Sequence, residues 1–321
     1  MKNAGGLLKG YFRDVKDAVI PGRGLLRASV MAGKNKVYCM LVNETCGQKE
    51  FLQSVSMDTD CDIYNNAYTA GGNTGRIGQC LKKMADIIGN KYAVINIVLP
   101  DPVTALCVYR PSGSGSMASW RDILKLKSSE KLCKGHDGLS VWMSALNKTG
   151  AKPAGAFAFS SKKINTEVIR VILNDSGLSP SACSPGIVYV NDAFFGPANN
   201  AKAAVLLIEP EYWTFFLHGN DGCPLYMISK WFNTGTINTS VLKDVISEIE
   251  RKLRAYSASS GVVEIEKFYT AGLINEPEVT GQIKGRFNCE CVELKIPVIE
   301  KNGQKQGIAG MPVSLIAAAG L

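Results

Sequence analysis

Residues 203–321 carry a succession of strand and helix patterns that restricts the fold of this chain more than any other segment. Three runs rich in apolar and aromatic residues are joined by short turns, which predicts an antiparallel meander. A long amphipathic helix follows, and after it a strand that ends at glycine. The five elements are predicted at Ala203–Ile208, Tyr212–Leu217, Pro224–Trp231, Ser240–Tyr256 and Glu264–Thr270, the last stopping at Ala271-Gly272. With a shorter helix, a strand and an apolar C-terminal helix, they make a mixed α/β unit.

The composition is that of a globular protein large enough for two lobes. The chain has 321 residues, of which 46% are hydrophobic and 20% are charged, so it can bury a substantial core and is not a disordered chain. The formal net charge is +8 at pH 7, with the basic residues scattered along the chain. Because no long basic run is present, we interpret this charge as a solvated surface and expect no nucleic-acid partner.

The pattern divides the chain into three parts. Apolar residues at helical spacing before Pro21-Gly22 predict a short amphipathic lead-in helix. The remainder is predicted to form two lobes, with a subdomain inserted in the first and with the C-terminal helix of the second packing back on the first. The predicted bounds are 1–25 for the lead-in helix, 26–200 for the first lobe, about 111–160 for the inserted subdomain and 201–321 for the second lobe.

Cysteine and histidine usage predicts a reduced chain without a metal site. Most of the ten cysteines lie inside strand-like or helical patterns, where free thiols behave as small apolar residues. His136 and His218 stand beside no cysteine pair at zinc-ligand spacing. No segment approaches the ~18 apolar residues of a membrane-spanning helix, and charges interrupt residues 1–20 too often for a signal peptide. We therefore expect a cytoplasmic chain, and a membrane span beyond Leu321 is left open.

Five segments follow one another in the order and spacing of a known family. They are the strand end Ile97–Pro100, the joint Asp175–Pro180 after a helix, the helix Ser240–Tyr256, the strand end Phe268–Gly272 and the closing helix Pro312–Leu321. Together they resemble PilM-type proteins of type IV pili and GspL-type proteins of type II secretion systems. The resemblance implies an α/β fold of the bilobed actin-like ATPase (ribonuclease H-like) class, with mixed sheets flanked by helices.

The resemblance also implies a function. Proteins of this type are cytoplasmic, lie at the inner membrane and bind a bitopic inner-membrane protein, which they couple to a motor ATPase. We therefore expect a peripheral, non-catalytic scaffold of an inner-membrane platform. The particular pilus or secretion system, the contact residues and a homodimer stay open.

The same resemblance identifies where ATP and Mg²⁺ would bind, and the residues there depart from what a phosphate site needs. The first strand should end on an aspartate followed by glycine, but the stretch from Ser29 to Gly33 contains no acid. The second loop should read Asp-x-Gly, but it is Glu209-Pro210-Glu211, and proline removes a backbone donor. Gly272 remains from the adenosine loop. We expect Glu209 to be a solvated acid at a strand end, and we expect neither a bound cofactor nor a metal.

Two catalytic alternatives stay open beside the scaffold. One is an active, ATP-binding PilM-like ATPase, and the other is a sugar- or acyl-kinase-like enzyme of the same fold. Either would keep carboxylates at both strand ends to organise Mg²⁺ and the phosphates. Because this chain lacks the first of them, we predict no catalytic residue.

Overall fold

The computed structural model describes most of the chain between residues 25 and 319. The described ranges are 25–45, 48–59, 94–110, 117–132, 138–146, 155–175, 177–194, 202–219, 224–233, 237–261, 264–272, 277–294, 300–301, 304–305 and 311–319, with the single positions 64, 79, 82, 83 and 86. The predicted lead-in helix lies outside the described residues, except for Leu25, which begins the first strand.

Fifteen strands and six α-helices are described. The strands are β1 (Leu25–Ala32), β2 (Lys36–Thr45), β3 (Gln48–Asp58), β4 (Val94–Leu99), β5 (Thr104–Tyr109), β6 (Leu139–Leu146), β7 (Gly155–Lys162), β8 (Pro180–Pro185), β9 (Ala203–Ile208), β10 (Tyr212–His218), β11 (Pro224–Trp231), β12 (Lys267–Gly272), β13 (Glu290–Glu293), β14 (Glu300–Lys301) and β15 (Gln304–Lys305). The helices are α1 (Met117–Leu132), α2 (Lys163–Asp175), α3 (Gly186–Phe194), α4 (Thr239–Ser260), α5 (Pro277–Phe287) and α6 (Val313–Ala319).

Two five-stranded sheets share one topology. The first sheet has the order β3-β2-β1-β4-β8 and the second has the order β11-β10-β9-β12-β13. In each sheet the strand that starts the unit is central, with an antiparallel meander on one side and parallel strands on the other. The parallel neighbours need crossover connections, which carry α2 before β8, α4 before β12 and α5 before β13. The chain therefore repeats one structural unit, once per lobe.

Helix α4 shows how local sequence sets an element of the second lobe. The side chain of Asn238 accepts a hydrogen bond of 3.0 Å from the backbone N–H of Val241 and caps the first turn. Apolar residues at helical spacing then face the second sheet, and the helix ends at Gly261, whose φ of 90° lies in the left-handed region. The buried side chains of this face are Leu242, Val245, Ile246, Ile249 and Leu253.

A third, smaller sheet is formed by the part of the chain between β4 and β8, two strands of the first sheet. Its order is β5-β7-β6, and α1 covers one face with Trp120 and Leu124 against Cys107 and Ala158. The opposite face, through Phe159, packs with the second sheet. This sheet-and-helix unit spans residues 104–162, so it includes β5, which precedes the start predicted for the inserted subdomain.

Helix α6, near the end of the chain, packs on the first sheet. Every residue from Val313 to Ala319 is buried, and Leu315 and Ile316 share a core with Met31 and Met40 of β1 and β2. The carbonyl of Ala318 also accepts a hydrogen bond of 2.8 Å from the side-chain amide of Asn96 on β4. Burial of each large aliphatic side chain stabilises this arrangement by about 1.5–3 kcal/mol, so α6 ties the second half of the chain to the first.

Candidate functional site

Two hairpin turns meet at the junction of the lobes. The turn between β1 and β2 contains Gly33, Lys34 and Asn35, and it is closed by a hydrogen bond of 2.7 Å from the N–H of Gly33 to the carbonyl of Lys36. The turn between β9 and β10 consists of Glu209-Pro210-Glu211 and is closed by a bond of 2.9 Å from the N–H of Glu209 to the carbonyl of Tyr212. Because β1 and β9 occupy the same place in the repeated unit, these are corresponding turns of the two lobes.

Glu211 joins the two turns directly. Its carboxylate accepts hydrogen bonds from the backbone N–H of Lys34 at 3.1 Å and of Asn35 at 2.7 Å. Burial raises the pKa of this carboxyl above its ordinary value, against the lowering effect of the two N–H donors. The first turn thus receives a negative group from the second lobe.

Glu209 is fully buried beneath the start of α6. Its carboxylate accepts hydrogen bonds from the backbone N–H of Val313 at 2.7 Å and of Ser314 at 2.9 Å, two donors that the first turn of a helix leaves without an intrahelical partner. Burial raises the pKa of Glu209 to about 7. The expectation of a solvated acid at a strand end is therefore wrong, because α6 covers the turn and brings these donors to the carboxylate.

Asp101 is a third buried carboxylate at the same junction. It follows β4 directly, and it accepts hydrogen bonds of 2.9 Å from the backbone N–H of Ile187 at the start of α3 and from the hydroxyl of Thr214 on β10. Burial raises its pKa to about 7, although those donors act in the opposite direction. Asp101 therefore bonds to both sides of the junction.

The hydroxyl of Tyr38 lies beside these carboxylates. Tyr38 is 2% exposed, and its hydroxyl lies next to the carboxylate of Glu211. Burial, followed by the negative charges of Glu211 and Glu209, raises the pKa of Tyr38 above its ordinary value. The junction is thus an acidic, poorly hydrated environment.

Three of the four predicted nucleotide-loop positions surround the β9–β10 turn. Gly33 contacts Glu211, since a Cβ built on Gly33 would lie 1.7 Å from the Oε2 atom of that carboxylate. Gly272 pairs with Ile208, the residue before Glu209, and has φ of 95°. Ser29 instead lies inside β1, fully buried, and its hydroxyl finds no partner among the residues described.

Asp101 and Glu211 have roles at the junction that sequence reasoning did not assign. The signal for Asp101 was an acid immediately after the apolar strand that ends in Leu99-Pro100. Glu211 was visible in the second loop, but its partners Lys34 and Asn35 are remote in sequence.

The hydrogen bonds that the backbone N–H groups already make determine whether these loops can bind a phosphate group. A phosphate group binds where several backbone N–H groups point at one place. Here the N–H groups of Lys34, Asn35, Val313 and Ser314 point at the chain's own carboxylates. An incoming anion would have to displace a carboxylate and would meet the remaining negative charges. Across the described part of the chain, no group of three or more histidine, cysteine, aspartate or glutamate side chains could hold a metal ion.

Two further properties of the described residues concern helix length and the state of the cysteines. None of the helices in the described ranges is long and apolar enough to cross a membrane. The five cysteines in those ranges, Cys39, Cys107, Cys183, Cys289 and Cys291, are free.

Comparison with known proteins gives structural matches without sequence matches. No protein-family model matches the chain, and no curated protein matches its sequence. A chain of the PilM–PilN type IV pilus biogenesis complex superposes with a TM-score of 0.65 at 11% identity, over 91% of this chain and 96% of that chain. A Bacteroides thetaiotaomicron protein with an actin-like ATPase fold and unknown function gives 0.57 at 12% identity, over 94% and 99% of the two chains.

A weaker match is the cytoplasmic domain of EpsL, an inner membrane component of the type II secretion system of Vibrio cholerae. Its TM-score is 0.48 at 10% identity, over 92% of this chain and 94% of that chain.

The repeated sheet topology and the first two matches agree with the predicted fold class. The likeness to PilM-type proteins is confirmed at the level of the fold. This chain has the bilobed α/β architecture of the actin-like ATPase fold.

Proposed function

We propose that this chain is a non-catalytic scaffold of an inner-membrane platform of the type IV pilus or type II secretion class. It works in the cytoplasm, peripheral to the membrane, where it binds a short segment of a bitopic membrane protein and couples that protein to a motor ATPase. The observation that carries the proposal is that Glu211 occupies the N–H groups of the β1–β2 turn and Glu209 occupies those at the start of α6. A protein that used ATP would leave such donors free for phosphate oxygens.

The first test is a titration with Mg-ATP. Because the donors are occupied and Pro210 offers none, we expect no binding tighter than ~1 mM, which corresponds to about 4 kcal/mol. Isothermal titration calorimetry and thermal unfolding with and without Mg-ATP measure this directly, since a ligand of the folded state raises the midpoint. A magnesium-dependent site of micromolar affinity, or turnover of a phosphoryl donor, would establish one of the catalytic alternatives instead.

The partner surface that we propose lies on the small sheet. The match to a chain from a PilM–PilN complex supports a protein partner of this kind, and an extended peptide can add a strand to a sheet edge. Strand β6 is one of the two edge strands of the small sheet, and β7 is its one neighbour among the described strands. Its half-buried residues, such as Val141 and Met143, border the layer formed with α1.

A matched pair of substitutions tests this surface. Ser144 on β6 is half-buried, and Ser56 on β3 is exposed at the edge of the first sheet. We expect Ser144→Asp to abolish co-purification with the membrane protein encoded beside this chain, because a charge at the edge opposes strand addition. Ser56→Asp should leave co-purification unchanged. Failure of the unmodified chain to bind any envelope protein of the same gene cluster would contradict the scaffold function.

A further inference from the structure

The contact between Glu211 and the β1–β2 turn joins the two lobes through residues that are far apart in sequence. Glu211 is separated from Lys34 by 177 residues, yet its two carboxylate oxygens accept hydrogen bonds from the backbone N–H groups of Lys34 and Asn35. The turn is itself fixed, because the carbonyl of Asn35 accepts a bond of 2.8 Å from the N–H of Thr59. On the other side, the carbonyl of Glu211 accepts a bond of 2.9 Å from the N–H of Phe232 at the end of β11. A carboxylate held in one lobe therefore meets donors held in the other.

Gly33 makes this approach feasible. A Cβ on Gly33 would lie 1.7 Å from Oε2 and 2.9 Å from Cδ of Glu211, so it would force the carboxylate of Glu211 to move away from the turn. The backbone of Gly33 is not in the left-handed region, so its conformation alone would accept alanine. The glycine is needed because a charged group approaches the backbone closely, which is how glycine serves phosphate loops.

The neighbouring residues reinforce the contact. Two positions before Glu211, the carboxylate of Glu209 bonds the start of α6, which packs on the first sheet. The ring of Tyr212, one position after Glu211, is fully buried with Met31 of β1 in the same core as α6. Both ends of the β9–β10 turn are consequently connected to the first lobe, Glu211 directly and Glu209 through α6.

We propose that Glu211 is a built-in anion that takes the place of a bound anionic ligand on the Gly33–Asn35 turn and locks the two lobes together. This lock deepens the proposed function and rests on it. A scaffold that binds no nucleotide needs another way to fix the relative position of its two lobes. Here the bridge is part of the chain, so the lobe arrangement is independent of any ligand.

A double-mutant cycle on the full chain tests the lock. The four proteins are the unmodified chain, Gly33→Ala, Glu211→Ala and the double variant. Gly33→Ala should lower the midpoint of thermal unfolding in the unmodified chain by about 5 °C or more, because the new methyl group expels the carboxylate. In the Glu211→Ala background the same substitution should lower the midpoint by clearly less, since the carboxylate is gone and only the carbonyl of Lys36, 3.1 Å from the new Cβ, remains close. Equal effects of Gly33→Ala in the two backgrounds would overturn the proposal.

Two matched control substitutions show what a new methyl group, or the loss of a carboxylate, does to the midpoint elsewhere in the protein. Gly285→Ala in α5 adds a methyl group where nothing lies within 4 Å, so it should not lower the midpoint. Glu264→Ala removes an acid of the second lobe that pairs with Lys202 at its surface, and its effect should add to that of Gly33→Ala without coupling. Coupling of the same size with Glu264 would contradict a specific contact.

Hydrogen exchange keeps the proposal testable if Gly33→Ala does not fold. Glu211→Gln preserves size but removes the charge, and the backbone N–H groups of Lys34 and Asn35 should exchange at least ~10-fold faster than in the unmodified chain. Unchanged exchange at both positions would overturn the lock. Mg-ATP titration of the unmodified chain separates the two proposals, because nucleotide binding contradicts the scaffold, whereas absent coupling without nucleotide binding contradicts the lock alone.

Discussion

Asp101 accepts a hydrogen bond of 2.9 Å from the hydroxyl of Thr214, so a buried carboxylate that follows the first sheet is satisfied by a strand of the second. The Thr214 hydroxyl also lies 2.9 Å from that of Ser229 on β11. A charged group at a lobe junction needs every such donor, because an unsatisfied buried carboxylate is costly. The relative position of the two sheets therefore depends on the protonation and hydrogen bonding of Asp101.

Thr214→Val should destabilise the protein by about 1–3 kcal/mol, because it keeps the branched shape but removes the donor to Asp101. Urea unfolding at neutral pH measures the change in the free energy of unfolding. Thr280→Val, at a half-buried position of α5, is the control and should cost less than about 0.5 kcal/mol. Equal losses for the two variants would mean that the bond to Asp101 carries no stability.

Stability should decrease as pH rises from about 5 to about 7. Burial raises the pKa of Asp101 from 3.8 to about 7 and that of Glu209 from 4.5 to about 7. Below the unfolded pKa both states bind the proton, so the stabilising contribution is complete there, and it is lost as pH rises through the folded pKa. Each group should lower the free energy of unfolding by about 1.4 kcal/mol per pH unit within that window.

Urea unfolding of the unmodified chain across this pH range, beside Asp101→Asn and Glu209→Gln, checks the dependence. Each substitution should remove the contribution of the substituted residue from the slope of the free energy of unfolding against pH. A free energy of unfolding that rises between pH 5 and pH 7 would contradict the raised pKa values.

Glu209→Ala should loosen α6. The substitution leaves the N–H groups of Val313 and Ser314 without their acceptor, at a cost of about 2 kcal/mol. Hydrogen exchange of residues 313–319 should accelerate by at least ~10-fold, while exchange in α4 stays unchanged. Glu209→Gln retains an acceptor oxygen and should give a smaller effect. If α6 and α4 accelerate together, the carboxylate supports global stability and not the attachment of α6.

The thiols should react in an order set by burial. Burial raises the pKa of Cys39 and of Cys183 to about 12, so their reactive thiolate forms are scarce at neutral pH. Among the described thiols, Cys289 and Cys291 are half-buried, and native alkylation should modify them before the buried Cys39. After denaturation without reductant, mass spectrometry should count ten alkylated cysteines. A stoichiometric disulfide in the native protein would point to an oxidising compartment.

Elements defined by local pattern were well predicted. The helix predicted at residues 240–256 is α4, Thr239–Ser260, and the strand predicted at Ala203–Ile208 is β9 with the same bounds. Both depend on signals within a few residues of each other, namely helical spacing and an uninterrupted apolar run. The start of the small sheet was harder to predict. In the sequence β5 resembles any short apolar strand, and only its pairing with β7 assigns it to this sheet.

The sequence by itself determined the order of the elements, and through that order the repeated actin-like unit, because periodicity, caps and turns act between neighbours along the chain. Only the tertiary structure decided the chemistry of the junction. Glu209, Glu211 and Asp101 have the same side-chain chemistry as solvated surface acids, and the residues next to them in sequence do not show which groups will bond to them. Their partners lie 104 residues away at Val313, 177 at Lys34 and 113 at Thr214. Burial and hydrogen bonding of a carboxylate depend on which groups the whole fold brings to it, and that information is absent from any single segment.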